Sequence, residues 1–370
     1  MTEFHNKPVK SYFFIISLFL SGIIINGLGV LSPAYLSIIV IIFSLIIYSL
    51  NIKSRFLYSN VMFFLLASWF FLEFFINPTG DKKTGFFLIV SVLMYPVFDL
   101  LCKPLSKTNL IIYSEKYIKF VTFLHVFELL VRLKRINFNL FMFFDPLFFI
   151  KKFYLLKEDI ILGGADTNFI ATHLLIVFFF ALYLKKRHKI KLNFYLFLIT
   201  ILIFFTFSRA SWIALIFGVL TFNFVFKKNK LSFLRLLLIF FIIIIFLVIF
   251  ISILSSDGSF QTKIDILNIT VDFIKNANLR DFLLGLGFLN SIEIVKFNVA
   301  HNLISTLLMD TGFVSVILYF LCWGIILKQS KGYALFILLP IFIFSLSFIQ
   351  QMIPYLFCCL SIITNLEEKK

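Results

Sequence analysis

The stretch "NVAHNLISTLLMDTGFVSVILYFL", residues 298–321, places a histidine and an asparagine directly before a long apolar run. The run extends from Leu303 to about residue 327, and a helix needs only about 20 residues to cross a bilayer. Titratable and polar groups beside such a span are costly to bury and are usually kept for a partner or a ligand. The stretch therefore predicts a membrane helix with polar groups at its N-terminal end.

The rest of the chain shares this apolar character. Of its 370 residues, 61% are hydrophobic and only 14% are charged, which excludes an ordinary soluble globular protein and predicts an integral membrane protein. Lys and Arg outnumber Asp and Glu by 34 to 18. We attribute this excess to cytoplasmic loops rather than to nucleic-acid binding, and no nucleic-acid partner is expected.

The pattern of apolar segments predicts an all-α fold, a polytopic transmembrane helix bundle with about twelve spans. Residues 1–370 are expected to form a single integral membrane domain. The approximate spans are 11–31, 34–50, 60–77, 85–102, 117–131, 168–184, 192–207, 210–226, 233–254, 303–327, 332–348 and 352–366.

Charge distribution predicts the orientation of this bundle. Most Lys and Arg fall in short segments on the side of the termini, such as "LKKRHKIK" at 184–191 and "FKKNKLSFLR" at 226–235. Because short basic loops stay in the cytoplasm, both termini are expected there. Two long segments then lie outside: residues 132–167, the first outer loop, and residues 255–302, the large outer loop between spans 9 and 10.

Both outer loops carry unusual patterns. The first begins with Arg132 and Arg135, which either anchor the chain at the membrane surface or form a cationic surface for anionic head groups. In the large loop, apolar residues recur at spacings of four and three. This spacing predicts an amphipathic helix that lies along the membrane or covers the bundle. The apolar residues are Phe260, Ile264, Leu267, Val271 and Ile274.

Several polar residues are expected at the outer ends of the predicted spans. Arg209, in "TFSRASW" at 206–212, has almost no loop to carry it into water, so it is either an anchor or a ligand-binding group. Arg280 either binds a ligand or pairs with neighbouring Asp281. Asp166 and Asn168, before the sixth span, either cap a helix or bind substrate.

His301 and Asn302 complete this candidate set. A histidine at a helix start is often structural, but its ring also accepts a proton near neutral pH, so His301 is the candidate general base. Asn302 either caps the tenth span or binds a sugar hydroxyl. The predicted topology places His301, Arg209, Arg280 and Lys263 on one face although they come from separate segments, which favours a common site.

The order of these motifs resembles a known superfamily. "TFSRASWIALIFG", then a large loop ending "LLGLGFLNS", then "HNLISTLLMDTGFVSVILYFL" is similar to the Wzy-type O-antigen and capsular polysaccharide polymerases and the related O-antigen ligases. Ser208 with Arg209, Gly285 with Gly287, His301 with Asn302, and Gly312 match its pattern. The chain departs from the pattern in "TKID", where Lys263 stands in place of a loop arginine and lacks the planar fork that grips phosphate.

The resemblance implies a polymerase in the bacterial inner membrane, with its active site and large loop on the periplasmic side. Its substrates would be undecaprenyl-diphosphate-linked oligosaccharides, joined without a cofactor or metal. His301 and Arg209 would be catalytic. Arg280, Lys263, Asn302, Asp166, Asn168, Arg132 and Arg135 would bind substrate. Partners would include membrane lipids and, in the same process, a chain-length regulator and a flippase.

Two alternatives remain open from the sequence. An O-antigen ligase, which transfers the glycan to lipid A core, shares the arginine and histidine motifs. A flippase or other transporter also commonly has twelve spans, but its ionisable residues are expected near the bilayer midplane and its halves should be related. The clustering at one surface favours an enzyme.

Overall fold

The computed structural model describes residues 6–25, 27–28, 31–48, 58–135, 160–162, 167–226, 258–292, 302–346 and 353–369. Within these ranges the protein is all-helical, apart from turns and one isolated antiparallel bridge between Ile25 and Leu162. The helices in these ranges are α1 (Asn6–Ser21), α2 (Pro33–Tyr48), α3 (Tyr58–Ile76), α4 (Lys82–Cys102), α5 (Lys107–Arg135), α6 (Thr167–His188), α7 (Asn193–Phe204), α8 (Arg209–Phe226), α9 (Gly258–Asn276), α10 (Leu279–Leu284), α11 (Leu303–Gln329), α12 (Leu335–Ser345) and α13 (Pro354–Glu368).

The all-helical fold class is confirmed over the described residues. Every apolar segment predicted from the sequence overlaps one of these helices, except 233–254, which lies outside the described residues. By length and composition, α4, α6 and α11 are able to cross a membrane. The full count of twelve spans stays a prediction.

The first predicted span, 11–31, is longer than the helix that the structure contains. Helix α1 ends at Ser21, whose hydroxyl donates to the Leu18 carbonyl at 2.7 Å, and the chain then turns at Gly22. The absence of a side chain at Gly22 allows the ring of Tyr117 to pack closely against this turn, because a Cβ there would lie 3.0 Å from the ring. An apolar run alone does not reveal such a turn.

Helix α13 forms the centre of the bundle. Every side chain from Pro354 to Glu367 is buried, and the helix packs most extensively on α4, with further contacts to α1, α6 and α11. Its apolar residues alone would also suit a lipid-facing helix. Because polar side chains such as Asn365 and Glu367 are costly in lipid, their burial favours the central position of α13.

Polar groups fix one end of this central helix. The carboxylate of Asp99 on α4 accepts hydrogen bonds from Asn365 at 2.7 Å and from Asn60 at 3.1 Å. Glu367 accepts two hydrogen bonds from the guanidinium of Arg187, both at 2.9 Å. These contacts join α3, α4, α6 and α13, and the predicted orientation assigns that end to the cytoplasmic side.

Helix α4 begins close to the candidate site. The carboxylate of Asp81 caps it by accepting from the backbone N–H groups of Lys83 and Thr84 at 3.3 and 3.1 Å. Partial burial works to raise the pKa of Asp81, but the hydrogen bonds from Thr84 and Lys83 outweigh it and leave the pKa lowered. The backbone N–H of Asp81 donates to the Phe288 carbonyl at 2.8 Å, which ties this cap to the large outer loop.

Candidate functional site

Helix α11 is broken within its apolar run. Gly312 has a φ of 79° and a ψ of 170°, so Leu303–Thr311 forms a separate half-helix. Asn302 begins this half-helix, and its side-chain oxygen accepts from the backbone N–H groups of Ile304 and Ser305 at 2.9 and 3.3 Å. His301, the residue before Asn302 in the sequence, lies outside the described residues.

The glycine-containing segment of the large loop pairs with the break in α11. The backbone N–H groups of Leu286 and Gly287 donate to the carbonyls of Met309 and Asp310 at 2.8 and 2.9 Å. The Asp310 carboxylate accepts in turn from the N–H of Ser291 at 3.1 Å. We call this pairing the glycine junction.

Only glycine fits at the centre of the glycine junction. Gly285 has a φ of 83°, and a Cβ there would lie 2.4 Å from the Asp310 carbonyl oxygen. A Cβ at Gly312 would lie 2.2 Å from the Leu283 carbonyl oxygen. Both the left-handed backbone and the close approach of two chains therefore exclude a larger residue.

The C-terminal half of α3 also contacts the glycine junction. The indole N–H of Trp69 donates to the Thr311 carbonyl at 3.0 Å, and the Asn77 amide donates to Glu73 at 2.8 Å and to the Gly285 carbonyl at 3.3 Å. Arg280 donates to the Ile76 carbonyl at 3.3 Å. These contacts place Arg280 beside the junction.

Glu73 and Asp310 are buried carboxylates that sequence reasoning missed. Both lie within apolar helices, with 0% and 3% of their surface exposed, and one carboxylate oxygen of Glu73 has no hydrogen-bond partner. An acidic residue inside an apolar run was the available signal, because such residues are costly and usually have a role. The structure adds both to the candidate site.

Helix α9 packs on the half-helix of α11. The Thr270 hydroxyl donates to the Ser305 hydroxyl at 2.9 Å, and Ile266 and Phe273 form a small apolar cluster with Leu308 and Met309. The helix thus occurs in the segment where an amphipathic helix was predicted. Its packed face differs from the predicted apolar stripe, whose members Leu267, Val271 and Ile274 are about half exposed.

The structure groups some of the candidate residues more closely than others. Lys263 on α9, Arg280 on α10 and Asn302 at the start of α11 lie on elements that pack around the half-helix. Arg209 is the exposed first residue of α8, which packs chiefly on α6 and α12. Convergence of Arg209 with the other cations stays a prediction.

Arg132 has a different setting from the one expected of a surface cation. It is buried at the end of α5, with its Nε 3.8 Å from the Glu128 carboxylate, and Glu128 also accepts from the backbone N–H groups of Ile161 and Leu162 at 3.1 Å each. This cluster holds the end of the first outer loop on the bundle. Arg135 is exposed at the last position of α5.

Asn168 lies in the first turn of α6, and its carbonyl accepts from the Thr172 hydroxyl at 2.8 Å. Asp166 lies outside the described residues.

Further along α6, His173 contacts His125 at 3.0 Å and the Tyr117 hydroxyl at 3.2 Å, and its ring stacks on Tyr355. This buried polar chain joins α5, α6 and α13.

Within the described ranges, no three His, Cys, Asp or Glu side chains lie close enough together to hold a metal ion. Four cysteines, Cys102, Cys322, Cys358 and Cys359, are buried as free thiols.

Comparison with known proteins points to one family. Residues 194–320 match a family model described as O-antigen ligase. This segment runs from α7 into α11 and includes Arg209, the glycine junction and the start of the broken helix. Over this segment, which is about a third of the chain, the match confirms the resemblance to the O-antigen ligase and polymerase superfamily. No curated protein matches the chain.

The glycine junction yields a direct prediction. Gly285→Ala should disrupt the packing of α10 on α11, because the new Cβ meets backbone that cannot move aside. Gly27→Ala is the matched control, since Gly27 has a similar φ of 85° but nothing within 4 Å of the added Cβ. The control should lose only about 1 kcal/mol, the cost of alanine in a left-handed conformation.

The measurement is the thermal unfolding midpoint of each purified variant in detergent, together with limited proteolysis between residues 277 and 300. Gly285→Ala should unfold several degrees below Gly27→Ala and be cleaved faster. Equal midpoints and equal cleavage for the two variants would contradict the observed pairing.

Proposed function

We propose that this protein is a polysaccharide polymerase that joins undecaprenyl-diphosphate-linked oligosaccharide repeat units on the periplasmic face of the bacterial inner membrane. The family match supports the general class, since its members are glycosyltransferase-like enzymes that act on lipid-linked glycans. The single observation that carries the proposal furthest is the glycine junction. It lies within the matched segment and holds α10, which carries Arg280, against the half-helix that Asn302 caps.

The proposed reaction depends on stabilising the negative charge that develops on the leaving diphosphate, and no cofactor is proposed. The bond between the anomeric carbon of the growing glycan and the carrier diphosphate breaks, and its electrons leave with the diphosphate. The acceptor hydroxyl of the next lipid-linked unit forms the new bond to that carbon. Because negative charge develops on the leaving group, Arg209 and Arg280, with Lys263 in support, would stabilise the transition state.

The hydroxyl proton needs an acceptor. In the proposed mechanism His301 takes this proton, since a neutral imidazole is a base of suitable strength near neutral pH. Asn302 fixes the start of the half-helix through its side-chain hydrogen bonds to Ile304 and Ser305. We propose that Asn302 thereby orients His301, in addition to the sugar contact expected from the resemblance.

The ligase alternative is kept because the matched family model is described as O-antigen ligase. A ligase transfers the finished glycan to lipid A core and would use the same kind of leaving diphosphate. The cations and the histidine therefore serve either enzyme. The polymerase and the ligase differ in the acceptor of the glycan, and a genetic test separates the two.

Substitution of the proposed catalytic residues provides the first test. Arg209→Ala and His301→Ala should each lower polymer formation by about 100-fold or more, the usual cost of removing a group that stabilises developing charge or transfers a proton. The amount of each protein in the membrane should stay close to wild type. Polymer is measured by electrophoresis of extracted polysaccharide and protein by immunoblot.

Conservative variants sharpen this test. Arg209→Lys keeps the charge but loses the planar fork, so it should recover only part of the activity. His301→Gln keeps some hydrogen bonding but accepts no proton at neutral pH, so it should stay inactive. Wild-type polymer from both alanine variants would exclude these residues from the active site.

Deletion of the gene separates polymerase from ligase. Loss of a polymerase should leave a single repeat unit on lipid A core, because a separate ligase still transfers unpolymerised units. The products are identified by electrophoresis and mass spectrometry of the lipopolysaccharide. Bare core together with polymer on the undecaprenyl carrier would instead establish the ligase, and unchanged long-chain polysaccharide would contradict both.

A further inference from the structure

A groove lies between α9 and α10, beside the glycine junction. Its volume is about 480 Å³. It has an apolar floor and a polar rim that combines carboxylates with amides. The lining residues are Ile269, Asp272, Phe273, Asn276, Ala277, Asn278, Asp281 and Leu286.

The chemistry of this rim selects for hydroxyl groups. Carboxylates accept hydrogen bonds from hydroxyls, and amides both donate and accept, so the rim suits a ligand with many alternating donors and acceptors. Lys and Arg are absent from the described lining. Two carboxylates without a cation in the lining suit an uncharged glycan better than a diphosphate, although Arg280, proposed for the leaving group, neighbours Asp281 on α10.

The groove is held in shape before any ligand binds. The Asn278 side chain accepts from the N–H of Asp281 and donates to its carboxylate, both at 2.8 Å. Phe273 is buried against the half-helix of α11, and Phe282 of α10 stacks on Phe313 with ring centroids 5.1 Å apart. A preformed rim lowers the entropy cost of binding.

The arrangement of residues around α9 indicates the direction in which the groove opens. The exposed stripe of Leu267, Val271 and Ile274 is flanked on its two sides by Lys263 and Lys275, each about 60° away around a helix with 100° per residue. An apolar stripe between lysines suits the surface of a membrane. Asp272 lies about 120° around the helix from that stripe, so the groove opens away from the lipid.

We propose that this groove binds sugar residues of the lipid-linked glycan, specifically uncharged or amino sugars, and excludes acidic ones. The proposal rests on the function proposed above. It assigns the sugar portion of the substrate to the face between α9 and α10, while the diphosphate binds the separate cations. The groove would thus contribute to the choice of repeat unit.

Chemical labelling tests this binding on the full-length protein in detergent. Ala277→Cys places a thiol in the groove wall, and Asn268→Cys on the same helix lies outside the groove. The buried native cysteines provide low background. The probes are a neutral oligosaccharide released by mild acid from the cell envelope of the producing strain, and inorganic pyrophosphate.

The oligosaccharide should slow maleimide labelling at position 277 severalfold and leave position 268 unchanged, while pyrophosphate should protect neither. In the Ala277→Cys protein, Asp272→Asn should raise the oligosaccharide concentration needed for protection about tenfold, the usual effect of weakening a hydrogen bond to a charged group. Asp265→Asn, on α9 but outside the groove, should not.

Equal labelling of position 277 with and without oligosaccharide would overturn the proposal that the groove binds sugar. Protection by pyrophosphate would overturn it as well. The result is independent of the gene deletion. If deletion leaves one repeat unit on core but the oligosaccharide gives no protection, only the groove fails. If protection occurs while long-chain polysaccharide persists in the deletion strain, the polymerase proposal fails and sugar binding stands.

Discussion

The architecture of the candidate site depends on two backbone hydrogen bonds, from Leu286 and Gly287 to the carbonyls of Met309 and Asp310. A helix broken inside an apolar run exposes backbone groups that lipid cannot satisfy. The glycine segment of the large loop satisfies two of them, and Trp69 satisfies the Thr311 carbonyl. The break in α11 and the fold of the large loop therefore require each other.

This mutual dependence explains the arrangement around the half-helix. Because Leu286 and Gly287 must approach Met309 and Asp310, the short helix α10 lies against α11, and Arg280 on α10 reaches the carbonyl at the end of α3. Helix α9 also packs on the half-helix through the Thr270–Ser305 contact. The segment of the large loop that contains α9 and α10 thus forms one packed unit with the apolar helices α3 and α11, with charged groups at its edge.

Much of the fold was predictable from the sequence, because apolar periodicity and helix caps are local signals. The run from Leu303 predicted α11, and Asn302 was predicted as a candidate cap, which the structure confirms. The break at Gly312 was not predicted, because it is stabilised by residues such as Trp69 that are more than 200 positions away. The end of α1 at Ser21 was missed for a similar reason, since Gly22 packs against Tyr117.

The candidate site was predictable only in part. Gly285 carried a motif signal and Arg280 was a candidate from its place in the large loop, and the structure places both at the glycine junction. Glu73 was overlooked although a carboxylate within an apolar run is unusual, and the burial of Arg132 against Glu128 could not be foreseen, because it depends on how the end of the first outer loop returns to α5.

The proposed mechanism requires that the segment from α9 to the start of α11 faces the periplasm. A single cysteine at the exposed position Leu279 can be compared with one at the exposed position Lys186, because the native thiols are buried. Intact spheroplasts are treated with a membrane-impermeant maleimide, and labelling is measured before and after the membrane is opened. Leu279→Cys should react at once and Lys186→Cys only after opening. Labelling of Leu279→Cys only after opening would place the site in the cytoplasm and exclude the proposed periplasmic reaction.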